Sequence, residues 1–165
     1  LGASIFAGLN NFQTVFAAAR GLDYATFFLA STVTVVIFRL VLARFKGGKN
    51  PYRTIALLQY IMCLSIVLFI FSGTSVPLYI MVAVLFGIGY GVSYPILVDM
   101  TANDARDDLS AQTLQSFALT YFVGLFGFPL IAGWMIVDVG TRPLLIFIAV
   151  LAMIEASLAL RRSMG

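Results

Sequence analysis

From Thr54 to Val98 the chain runs 45 residues without a formally charged side chain. As one helix that run would be ~67 Å long, about twice the ~30 Å hydrocarbon core of a bilayer, so it must turn. The turn is legible at Ser72-Gly73-Thr74-Ser75-Val76-Pro77, where small polar residues end one helix and a proline lets the next begin. Along the whole chain, apolar runs bounded by charge, Gly or Pro fall at about 1–19, 22–44, 54–72, 76–99, 110–137 and 142–160. Each is long enough to span a bilayer or nearly so, and no period-two alternation competes. The pattern predicts an all-α membrane protein with six transmembrane helices.

Composition strengthens that reading. Hydrophobic residues are 61% of the chain and charged residues 10%, against roughly 45–50% and 25% in soluble domains. The net charge of +3 would point to an anionic partner in a soluble protein. Here the basic residues sit at helix ends, and topology accounts for them. With an even number of spans both termini share a side, and Arg44, Lys46, Lys49, Arg53, Arg106, Arg161 and Arg162 fall on it. Arg20 and Arg142 face the other side. The positive-inside rule makes the basic side cytoplasmic, with a bacterial inner membrane as the expected location. Cys63 is the single cysteine and histidine is absent, which removes disulfides, the commonest metal ligand and the commonest general base. No enzyme, cofactor or metal chemistry is expected. Leu1-Gly2-Ala3 has no initiator Met, basic n-region or cleavage site, so the first run reads as neither signal peptide nor start of translation, and the chain as a fragment.

The six spans divide into two three-helix units, 1–72 and 76–160, which enter the membrane from opposite sides and so form an inverted repeat in topology. Particular segments then carry a family likeness. Phe16-Ala17-Ala18-Ala19-Arg20-Gly21-Leu22-Asp23-Tyr24-Ala25-Thr26-Phe27-Phe28 resembles the seventh-to-eighth helix junction of major facilitator transporters. Gly87-Ile88-Gly89-Tyr90-Gly91-Val92-Ser93-Tyr94-Pro95 resembles their tenth helix, and Gly124-Leu125-Phe126-Gly127-Phe128-Pro129 with Gly133 their eleventh. The resemblance covers the whole chain and implies the C-terminal six-helix bundle of a twelve-helix transporter, with the N-terminal bundle absent from this chain. In the family's second-half loop an Arg precedes a Gly and, further on, an Asp that latches the cytoplasmic side. Arg39 matches the Arg, but Ala43 replaces the Gly and Gly47 stands where the Asp would be, so a charge latch is not expected here. Arg44, Lys46, Lys49 and Arg53 suit anionic lipid headgroups or serve as topological determinants alone.

Polar residues inside apolar spans mark the candidate site. Asn10, Asn11, Gln13 and Thr14 fall within an arc of roughly 160° at 100° per residue, and such groups avoid lipid by facing a cavity or another helix. The resemblance places this helix along the central cavity, which makes Asn10, Asn11 and Gln13 candidates for substrate contact and leaves Thr14 to interhelical hydrogen bonding. Tyr90 and Tyr94, four apart, are candidates to line the same cavity. Gly87 and Gly91 follow no strand and open no βαβ unit, so they are read as helix-packing positions and not as a dinucleotide fingerprint; no nucleic acid is expected as partner. Pro95 is a candidate hinge or a simple helix distortion. Thr113, Ser116, Phe117, Thr120, Gly124 and Gly127, followed by Pro129 and Gly133, form a small-residue seam with a bend, read as an interface that slides between bundles or else as packing within one bundle.

Two charges lie within spans. Arg39, about one turn from Arg44, is expected to snorkel to the cytoplasmic interface, and Glu155, roughly 9 Å of helical rise from Arg161, to reach the interface or an arginine. Asp99, Asp104, Arg106, Asp107 and Asp108 read as a solvated loop. The expected function is part of a secondary transporter moving a small molecule by alternating access, its partners being lipid, the solute and an N-terminal six-helix half. The alternative is a non-transporting scaffold or assembly subunit bound to another membrane protein, and a self-assembling channel ranks third.

Overall fold

The computed structural model describes residues 1–42, 44, 48–105 and 109–164. These form seven helices: α1 (Gly2–Asn11), α2 (Gln13–Ala18), α3 (Tyr24–Val41), α4 (Pro51–Phe71), α5 (Val76–Asn103), α6 (Ser110–Asp138) and α7 (Thr141–Met164). Five of them, α3 to α7, are long and apolar enough to cross a membrane. The stretch expected as the first span is not one helix. It breaks at Phe12, whose φ of −105° and ψ of 13° leave the helical basin. The preceding Asn10-Asn11 pair explains the break, because asparagine side chains compete with the backbone for its hydrogen bonds.

Other boundaries follow local chemistry. Asn50 caps α4 by accepting from the Arg53 N–H at 3.1 Å, with Pro51 in the first turn, so this helix starts three residues before the expected apolar boundary. Asp23 caps α3 by accepting from the Ala25 N–H at 2.9 Å. The α4–α5 hairpin closes through Ser72, whose hydroxyl donates to the Phe69 carbonyl at 2.9 Å, and Gly73, whose φ of +53° suits glycine. At the far end of α5 the helix continues through Asp99 to Asn103, so Asp99 belongs to helix and not to loop. Lys46, Gly47, Ala43, Arg106, Asp107 and Asp108 lie outside the described residues.

Helix α4 packs between α5 and α7, α5 also packs on α3, and α1 lies against α6 and α7. The core holds Phe16, Phe27, Phe69, Tyr79 and Phe86, with Ile5, Leu9, Leu144 and Ile148 behind them. Small residues set the closest approaches. A Cβ at Gly87 would stand 2.8 Å from the Ser31 carbonyl oxygen of α3, and one at Gly91 2.9 Å from Val35 of the same helix. A Cβ at Gly89 would meet Met62 of α4 at 2.8 Å, so alternate glycines of α5 seat it on two neighbours. The two least covered spans are α3 and α6, which expose Leu29, Leu40, Leu130 and Trp134 among other large apolar side chains. Residues 50–53 and 161–163 share one end of the bundle: the Asn50 amide donates to the Ser163 carbonyl at 3.0 Å, and the Arg162 guanidinium lies 5.7 Å from the Tyr52 ring centre.

Candidate functional site

A cavity of about 460 Å³ opens beside the break between α1 and α2. Phe6, Asn10 and Asn11 line it from α1, Phe28, Ser31, Thr32 and Val35 from α3, and Phe86, Gly87 and Tyr90 from α5. The close α3–α5 approach at Gly87 brings the Ser31 backbone and the Tyr90 ring to the same wall. Tyr90 stacks on Phe6 with ring centres 4.0 Å apart. The result is an aromatic surface edged by amides and hydroxyls, the chemistry of a small-molecule site: rings give contact area and a few polar groups fix orientation. A helix break adds to this, since the last carbonyls of α1 and the first N–H groups of α2 lack partners within their own helices.

Of the polar arc read from the sequence, Asn10 and Asn11 reach this cavity together. Gln13 does not. The break turns it into the bundle, where it is fully buried and its amide donates to the Tyr79 hydroxyl at 2.6 Å. Thr14 is exposed. Tyr90 lines the cavity and its hydroxyl pairs with that of Tyr121 on α6. Tyr94, stacked on Tyr90 at 6.1 Å, faces other spaces. Gly124 approaches α1, where a Cβ would lie 3.0 Å from the Ser4 hydroxyl; this is a contact inside the bundle and not one between bundles. A Cβ at Gly127 would meet nothing within 4 Å. Helices α5 and α6 run on through Pro95 and Pro129.

Arg39 contacts a neighbouring helix. Its Nε donates to the Gly91 carbonyl at 3.4 Å, and it shares an open groove with Tyr94, Pro95, Asp99 and Leu114. Glu155 does not turn to Arg161. Its carboxylate abuts the first turn of α1, with Oε1 3.0 Å from where a Gly2 Cβ would stand. At the other end of the bundle, Arg20 closes α2 by donating to the Phe16 carbonyl at 3.0 Å and lies 4.6 Å over the Phe69 ring. Burial pushes its pKa below the ordinary arginine value, and nearby Tyr79 opposes that shift.

Sequence reasoning missed Phe6, Phe28, Ser31, Thr32, Tyr79 and Tyr121. Ser31 and Thr32 carried a usable signal, adjacent hydroxyls inside an apolar run. The aromatic residues carried none, because a phenyl ring in a span reads equally as core, cavity or lipid face. Comparison of this chain with protein-family models, with curated proteins and with solved structures returns no match.

Proposed function

We propose that this chain is part of a secondary active transporter that moves a small-molecule solute by alternating access. The observation that carries the reading is the helix break at Phe12 beside a cavity lined by Asn10, Asn11 and Tyr90. Interrupted spans with freed backbone groups beside a cavity are how transporters build solute sites, because irregular backbone is tolerated in a membrane only where it lines such a space.

The pattern of helix neighbours supports six spans arranged as two inverted three-helix units. Exchange α1 and α2 for α5, α3 for α6, and α4 for α7. The pairings α3–α5, α4–α5 and α2–α3 then become α6–α1, α7–α1 and α5–α6, while α4–α7 maps onto itself. The two poorly covered helices, α3 and α6, also exchange. Exposure of Asn11 and Thr32 supports a second six-helix half as partner, since polar side chains facing lipid are costly. In this reading the end carrying Arg53, Arg161 and Arg162 is cytoplasmic, in a bacterial inner membrane.

The test is uptake by the full-length protein in liposomes against a panel of small solutes. Asn11→Ala is expected to raise KM for the transported solute while leaving folded yield near that of the unaltered protein. Loss of folded protein with unchanged transport in the survivors would assign Asn11 to packing. A stable complex with another membrane subunit and no solute uptake would favour the scaffold.

A further inference from the structure

Helix α4 exposes a single stripe. Arg53, Leu57, Leu64, Val67 and Phe71 are its exposed residues, and with half-buried Tyr60 they recur at the three- and four-residue steps of one helical face. The neighbouring α7 carries a matching stripe of Ile154, Leu158 and Arg161. The two stripes meet along one seam, since the Tyr60 and Ser157 hydroxyls lie 3.5 Å apart and Ser157 is one turn from both Ile154 and Arg161. Each stripe is largely apolar and ends in an arginine. Both arginines lie at the same end of the bundle, where the Asn50–Ser163 hydrogen bond and the Arg162–Tyr52 contact hold the two helix ends together. Lys49 is exposed beside them, and among the described residues no ion pair neutralises Lys49, Arg53 or Arg161.

We propose that the α4–α7 seam binds an anionic phospholipid, with its phosphate at Arg53 and Arg161 and its acyl chains along Leu57, Leu64, Ile154 and Leu158. Arginines at the head of an apolar groove match both parts of such a molecule: the guanidinium N–H groups bond the phosphate oxygens, and the apolar side chains take the chains. A soluble phosphate would leave the apolar stripes uncovered. A second copy of this chain docked about a two-fold axis along the seam would set the arginines against their own images. The seam shares no residue with the cavity at Asn10 and Asn11, so the site does not depend on transport.

The test is native mass spectrometry of the purified full-length protein, released from micelles holding equal amounts of dioleoylphosphatidylglycerol and dioleoylphosphatidylcholine. Retention of the anionic lipid should exceed that of the zwitterionic one by about ten-fold or more. Arg53→Gln and Arg161→Gln should each lower that retention by about five-fold, while Arg44→Gln, just past the end of α3, should leave it unchanged. Glycerol 3-phosphate in large excess should not displace the lipid. Where an arginine variant fails to fold, the lipid preference and the glycerol 3-phosphate competition on the unaltered protein decide by themselves. Equal retention of the two lipids, displacement by glycerol 3-phosphate, unchanged retention in a folded Arg53 or Arg161 variant, or an equal loss in Arg44→Gln would each overturn the proposal.

Discussion

Arg39 on α3 donates through Nε to the carbonyl of Gly91 on α5, 3.4 Å away. Gly91 stands four residues before Pro95, and a proline has no N–H with which to bond that carbonyl. Within α5 the proline thus frees an acceptor, and a cation from the neighbouring helix reaches it. The charge in the span and the proline in the span, which look like separate oddities in the sequence, are two ends of one contact. A double-mutant cycle tests the coupling. Arg39→Leu should destabilise the protein by ~1 kcal/mol, and by clearly less in a Pro95→Ala background, where the alanine N–H takes over the carbonyl. Equal penalties in both backgrounds, measured by reversible unfolding in detergent, would remove the link.

Gly87 and Gly127 should respond oppositely to alanine. At Gly87 the added Cβ would lie 2.8 Å from the Ser31 backbone oxygen, which cannot swing aside, so Gly87→Ala should cost about 1–3 kcal/mol. At Gly127 nothing lies within 4 Å, and alanine should be neutral or stabilise by up to ~1 kcal/mol through its helix propensity. Thermal unfolding of the two variants side by side checks the contrast.

Tyr79→Phe removes the acceptor of the buried Gln13 amide and should cost about 1–3 kcal/mol. Adding Gln13→Leu removes the stranded donor as well and should recover most of that loss. A double variant as unstable as the sum of the two single ones would show that the pair's value lies in shape and not in the hydrogen bond.

Much of the architecture was legible because apolar run length and charge position follow directly from bilayer thickness. Five spans and the hairpin at Ser72-Gly73-Thr74-Ser75 are the clearest cases. An unbroken helical wheel misplaces Gln13 relative to Asn10 and Asn11: the helix breaks at Phe12, the angle linking Asn11 to Gln13 no longer holds, and the two residues part company. Sequence position relates Arg39 and Glu155 only to the nearest helix end, and the contacts they make come from other helices: Gly91 is 52 residues from Arg39, and Gly2 lies at the opposite end of the chain from Glu155. Position along one helix is readable from one sequence, but contacts between helices are not.

Orientation is open to a direct check. Cysteines placed singly at Lys49 and Ser75 in a Cys63→Ala background should react with an impermeant thiol reagent from opposite sides of the membrane, position 49 from the cytoplasm. The native Cys63 is buried against the Ala149 carbonyl, so replacing it by alanine removes background with little change in volume. Reaction of both positions from one side would contradict the hairpin between α4 and α5 as a membrane-crossing pair.

The most direct test of the transport reading needs no knowledge of the solute. Asn11→Cys and Thr32→Cys both place a thiol in the cavity beside the helix break, and both positions are exposed in the bundle. In sealed vesicles of either orientation made from cells expressing the full-length protein, an impermeant thiol reagent should label each position from both sides of the membrane. Each rate should be lower than at the loop cysteine on the same side, position 49 from the cytoplasm and position 75 from the other side, because only one of two alternating states opens the cavity to a given side. Labelling from a single side, or from neither, would contradict alternating access at this cavity.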